Sequence, residues 1–103
     1  MIYFCLDSVS EAKNRVRIRY ENGGHFVPDH EVEERFHQGY LNLDTLFNKF
    51  DNVDLFNSSH YNKTPEHIIS LYKGNVAVVG KIPLFLEKAL PAISSIIKLH
   101  HKL

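Results

Sequence analysis

The sequence predicts an α/β fold in a single domain, 1–103, on three observations. A short apolar run, Ile2 to Leu6, ends at Asp7-Ser8. Two stretches of helical periodicity follow it, and after them comes a β-branched and aromatic run, Val53 to Asn57. Strand, helices and strand in that order form the long crossover that parallel strands require.

Ile2 to Leu6 is continuously apolar, which predicts a strand buried on both faces of a parallel sheet. It holds the lone cysteine, Cys5, which reads as a core thiol; one cysteine excludes an internal disulfide and agrees with a reducing cytoplasm. Ser8-Val9-Ser10-Glu11 has the form of a capping box, and Val9, Ala12, Val16 and Tyr20 keep helical spacing after it. Asn22-Gly23-Gly24 ends that helix, and Pro28-Asp29 opens a second. Val32, Phe36, Tyr40, Leu43, Phe47 and Phe50 form its apolar face, with Gly39 predicted to kink or divide it near Asn42. Val53 to Asn57 is then a strand parallel to the first. Ile68–Tyr72 and Val76–Val79 flank Lys73-Gly74-Asn75 and read as a hairpin. Pro83 opens a final helix with Leu86, Leu90, Ile93 and Ile97 on one side, which Pro91 kinks or restarts. The hairpin and last helix are predicted to be a C-terminal appendage.

Twelve Lys and Arg balance twelve Asp and Glu, so nothing global attracts nucleic acid or anionic lipid. No apolar run is long enough to span a bilayer, and the N-terminus lacks a secretion signal. The expected protein is cytoplasmic, with neither nucleic-acid nor membrane partners. Glu34 and His37 make one Glu-x-x-His, with His30 a heptad before His37. Di-metal carboxylate bundles need two such motifs, so these histidines read as surface residues and no metal site is expected. Cys5 lies in an apolar strand rather than an electropositive cleft, which argues against a thiol nucleophile.

The arginines carry the remaining signal. Arg15 and Arg19, four apart, share a helix face while Arg17 points elsewhere, and Arg35 sits on the next helix beyond Gly23-Gly24. Helix, glycine hinge and helix, with guanidinium groups on both arms, suit a lid over polyphosphate. The plainer alternative is a solvated face: Glu11 lies four before Arg15, and Glu31 four before Arg35, so intrahelical pairs could use both.

Tyr3-Phe4-Cys5-Leu6-Asp7-Ser8, Arg15-Val16, Arg19, Gly23-Gly24-His25, Val27-Pro28 and Arg35 together resemble the second half of zeta-toxin-like P-loop kinases, in a bacterial branch. The likeness extends to Asn57-Ser58, which is similar to the family's Tyr-Asp-Asn-Ser strand end. It implies a partial P-loop-kinase-like three-layer fold. Arg19 and Arg35 would be lid arginines for ATP phosphates, with Arg15 a substitute for Arg19. His25, grouped with Arg15, Arg19 and Arg35 as a cofactor-binding residue, would serve chiefly as the turn residue whose ring hydrogen bond orients the hinge. ATP and Mg2+ are implied by the resemblance alone, neither expected to bind this chain tightly, and full-length relatives phosphorylate a small molecule, typically a nucleotide sugar.

Two departures stand out: Glu33-Glu34-Arg35 replaces a basic run, and Phe56 replaces an aspartate. The chain contains no Gly-x-x-x-x-Gly-Lys-Ser/Thr and nothing matching the family's catalytic aspartate segment, so no catalytic residue is assigned. The expectation is a truncated or decayed kinase, inactive alone, whose partner would be a missing N-terminal half or an antitoxin. The alternative is a non-catalytic interaction protein. Under either reading strand Ile2–Leu6 would present an open edge, and a homo-oligomer through that edge is expected.

Overall fold

A computed structural model of the chain describes residues 1–101. Strand β1 (Ile2–Cys5) leads to helix α1 (Val9–Glu21), helix α2 (Asp29–Leu46), a 3-10 turn (Phe47–Lys49) and strand β2 (Asn52–Asn57). Strands β3 (Glu66–Tyr72) and β4 (Asn75–Val79), a short helix α3 (Leu86–Ala89) and helix α4 (Pro91–His101) complete it.

The predicted start of α1 is present in one half of the capping box: the Ser8 hydroxyl accepts from the Glu11 N–H at 3.1 Å, while the Glu11 carboxylate accepts from Arg15 Nε at 2.9 Å. Its end is a full Schellman closure, with the Gly24 N–H donating to the Arg19 carbonyl at 2.8 Å and the Gly23 N–H to that of Tyr20 at 3.1 Å. Gly23 takes φ +94, and a Cβ on Gly24 would stand 2.8 Å from the Arg19 carbonyl oxygen. Gly24→Ala should therefore cost about 1–3 kcal/mol as the turn is forced open. Urea denaturation measures it, and an unchanged midpoint would mean that the turn yields freely.

Helix α2 starts after Pro28, whose carbonyl accepts from the N–H groups of Glu31 and Val32 at 3.0 and 3.1 Å. The sequence expectation of a break near Asn42 is not met, since the helix runs unbroken from Asp29 to Leu46. Gly39 serves another purpose: a Cβ there would lie 2.7 Å from the Tyr3 hydroxyl, so its absence admits that ring. Pro91 does start a new segment, and Asp44 of α2 caps it. The Asp44 carboxylate accepts from Ala92 N–H at 2.9 Å and Ile93 N–H at 3.0 Å, pinning α4 to α2.

All four strands form one sheet in the order β1-β2-β3-β4. β1 and β2 are parallel, as predicted, with Tyr3 opposite Leu55 and Cys5 opposite Asn57; β2–β3 and β3–β4 are antiparallel. The hairpin is thus a continuation of the sheet and not an appendage. Its turn is two residues, Lys73 and Gly74, both at positive φ (49 and 79), the geometry whose twist matches paired strands.

Tyr3, Cys5, Val53, Leu55, Ile69 and Leu71 point to one face, where Tyr40, Leu43 and Phe47 of α2 and Leu86, Leu90, Ile93 and Ile97 of α3–α4 close the core. The opposite face carries Ile2, Phe4, Asp54, Phe56, His67, Ser70 and Val78, none of which is buried. β1 is therefore not buried on both faces: Ile2 is 61% and Phe4 57% exposed. The resemblance implies three layers, whereas the described residues build two, with helices packed into the core on one side of the sheet. On the bare face Phe4 and Phe56 stack at 5.9 Å and Phe56 meets His67 at 5.5 Å. Beside them the Ser70 hydroxyl donates to Asp54 at 2.5 Å, and His67 Nε2 bonds Ser70 Oγ at 2.8 Å.

Candidate functional site

β1 ends where α2 crosses it, and the tie is one side chain. The Tyr40 hydroxyl accepts from the Leu6 N–H at 2.9 Å and donates to the Leu6 carbonyl at 2.5 Å. Its ring stacks on Tyr3 (5.9 Å) and edge-on against Phe36 (5.1 Å). These aromatics floor a cleft of about 560 Å³ between β1 and the α1–α2 pair.

All four residues singled out in the sequence line this cleft: Arg15 and Arg19 from α1, His25 from the turn and Arg35 from α2. Arg17 faces a different hollow, beside Tyr20 and Phe26, as its place on the helix predicts. No acidic side chain is among the cleft's lining residues. Glu33 and Glu34, expected to oppose phosphate binding, are not among them but line a neighbouring hollow that Arg35 shares, and Glu33 pairs with Lys13 at 2.7 Å. That hydrogen bond holds the Glu33 carboxyl below its ordinary range and raises the Lys13 ammonium.

The three guanidinium groups differ in commitment. Arg15, with its side chain 20% exposed, has Nε on Glu11 at 2.9 Å and Nη1 on the Ser58 hydroxyl at 3.2 Å. Its Nη2 donates to the Ser58 carbonyl, and its guanidinium lies over the Tyr61 ring at 5.6 Å. Arg15 is a clasp between α1 and the end of β2, and Asn57 and Ser59 complete that corner through the Ser59 hydroxyl at 2.6 Å. Arg35 pairs with Glu31 at 2.5 Å, yet its side chain is 70% exposed, so the pair is solvated and readily exchanged. Arg19 is exposed and has no side-chain partner among the described residues. Both intrahelical pairs of the solvated-face alternative are thus present; Arg15 is held further by Ser58, Arg35 stays exposed, and Arg19 alone of the three has no side-chain partner among the described residues.

His25 is exposed and makes no side-chain hydrogen bond among the described residues. The hinge geometry, assigned by the resemblance to its ring, comes from the glycine backbone closure instead. Sequence reasoning missed the aromatic floor as part of the site, because Tyr3, Phe36 and Tyr40 keep core spacing and carry no separate signal. It also missed Ser58 and Tyr61, whose link to Arg15 is long-range.

The arrangement is a mixed α/β protein with a cationic, aromatic-floored cleft at a strand edge. Comparison of the chain with protein-family models, with curated proteins and with solved structures finds no match. No helix among the described residues is long and apolar enough to cross a membrane.

Proposed function

We propose that the cleft binds the polyphosphate of ATP or a related nucleotide, and that the chain is the lid-bearing part of a zeta-toxin-like small-molecule kinase. The observation that carries the reading is the convergence of Arg19 and Arg35, from two helices joined through Gly23-Gly24, on one cleft with no acidic lining residue. The partial likeness to P-loop kinases and the assignment of the substrate as a nucleotide sugar rest on the sequence resemblance. Mg2+ does not fit the cleft by itself: it takes oxygen ligands, usually carboxylates, and the lining provides none. Without a Gly-x-x-x-x-Gly-Lys-Ser/Thr loop these 103 residues hold phosphate weakly and do not transfer it.

Titration calorimetry with ATP and with inorganic tripolyphosphate at low salt tests the site. Both should bind, and binding should fall steeply as salt is raised, because an exposed cluster in a neutral chain is screened. The Arg19→Ala, Arg35→Ala double variant should bind at least about tenfold more weakly, the loss of two charge-assisted contacts. Unchanged affinity in that variant would remove the lid assignment, and phosphoryl transfer by the chain alone would overturn the reading of it as inactive. A second reading, a non-catalytic protein that self-associates, is favoured by one observation, the open edge of β1.

A further inference from the structure

The parallel ladder uses alternate residues of β1. The Met1 carbonyl accepts from Asp54 N–H and the Cys5 carbonyl from Ser58 N–H, both at 2.8 Å, and the Met1 nitrogen donates to the Asn52 carbonyl at 2.7 Å. Residues 1, 3 and 5 therefore face β2, and the peptide groups of Ile2, Phe4 and Leu6 face away from it. Those of Leu6 are consumed by the Tyr40 hydroxyl. Those of Ile2 and Phe4 have no partner among the described residues, and their side chains are 61% and 57% exposed. Tyr40 closes the edge at Leu6, but the strand itself carries no guard: it reads Ile-Tyr-Phe-Cys, without charge, proline or bulge. The other edge, β4, is flanked by Lys73 and Lys81 and carries a register shift against β3 at Ser70/Leu71.

We infer that β1 pairs antiparallel with β1 of a second copy, in one register, about a two-fold axis at Tyr3. Antiparallel partners exchange two hydrogen bonds at every second position. Ile2 opposite Phe4 of the partner copy, and Phe4 opposite its Ile2, use every free donor and acceptor. Setting Phe4 opposite Phe4 would place Ile2 against Leu6, whose groups Tyr40 already holds; setting Ile2 opposite Ile2 brings Phe4 against a position outside β1. The favoured register also sets each exposed Ile2 side chain directly across from an exposed Phe4 on the same face. The main-chain groups alone would take any extended strand; the Ile2–Phe4 match, repeated on both sides of the two-fold axis, is what favours a second copy. The pairing uses main-chain groups and no arginine, but Tyr3 and Phe4 also line the cleft, so a partner strand and a polyphosphate share that side of β1.

Two cysteine variants of the full chain test both the pairing and its register. Opposed residues in a hydrogen-bonded pair have Cα atoms about 5.5 Å apart, within reach of a disulfide. Ile2→Cys mixed with Phe4→Cys should give a disulfide-linked dimer on mild oxidation, and each variant alone should give far less. Native Cys5 is fully buried and does not compete. Phe4→Lys places a charge on the edge and removes both Ile2–Phe4 contacts, so sedimentation should show association weakened about tenfold. A monomer at every accessible concentration, with no cross-link in the mixture, would overturn the inference. Cross-linking of Ile2→Cys alone as fast as the mixture would overturn the register.

Discussion

Tyr40→Phe should lower the stability of the protein by about 2–4 kcal/mol, although it removes a single oxygen from a position that reads as apolar core. The Tyr40 ring is 5% exposed, and its stacking on Tyr3 and Phe36 survives the change. What is lost is the one atom that satisfies both peptide groups of Leu6, at 2.9 and 2.5 Å. A donor and an acceptor are left together at the end of β1, and each unsatisfied group costs about 1–3 kcal/mol when water cannot reach it. Denaturant titration of the two proteins measures the difference. A loss under about 0.5 kcal/mol would show that solvent takes over both bonds and that Tyr40 is only a packing residue.

Stability should also fall sharply on the alkaline side. Burial pushes the Cys5 thiol up to about 12, only partly opposed by its hydrogen bond with Tyr40. Burial likewise raises the phenols of Tyr40 and Tyr3, with the neighbouring Cys5 charge adding to both. In each case the folded protein holds its proton more tightly than the unfolded chain. The contribution is therefore fully present below the unfolded pKa and is lost as pH rises through the folded one. For Cys5 alone the window runs from the ordinary thiol value of 9.0 to about 12, a loss on the order of 4 kcal/mol by its upper end. Urea midpoints should be level from neutrality to about pH 8.5 and then drop, with Cys5→Ala softening the slope. A thiol reagent that labels folded Cys5 rapidly at pH 8, or a level profile to pH 11, would show that the thiol is not held protonated.

Elements whose signal is local were legible in the sequence, and those set by distant partners were not. Ser8 as a cap, Gly23-Gly24 as a stop, Pro91 as a restart and Lys73-Gly74 as a turn each follow from a few adjacent residues. The parallel pairing of β1 with β2 followed from the length of the helical connection. By contrast, the apolar run Ile2–Leu6 could not reveal that only one face of its sheet is covered, because burial depends on what packs there. Continuous hydrophobicity suggested two covered faces; the structure puts Tyr3 and Cys5 in the core and leaves Ile2 and Phe4 outside.

The same division holds for the site. Helical spacing placed Arg15 and Arg19 on one face, and the glycine turn brought Arg35 to the same cleft. Spacing could not tell which guanidinium remains available. Glu11 takes Arg15 as the i,i+4 rule suggests, but Ser58 and Tyr61, far along the chain, complete its capture. Glu33 and Glu34 sit beside Arg35 in sequence and looked inhibitory; they stay out of the cleft but share a neighbouring hollow with Arg35. Asp44 gave no sign of being the cap of α4, because its partners lie at Ala92 and Ile93.

The crossover between β1 and β2 orders events in time. β3 and β4 need only Lys73-Gly74 to meet, and β2 reaches β3 across Ser58–Pro65, whereas β1 must wait for everything from Leu6 to Asp51 to be gathered. Closing that long segment carries the largest entropy loss of the three pairings and is repaid only when the last strand docks. Assembly should then spread outward from the β3–β4 hairpin, with β1 the last strand to join and the first to leave. Amide protons of Tyr3 and Cys5 should exchange through partial opening, ahead of those at Ile69 and Leu71, which wait for the whole chain to unfold.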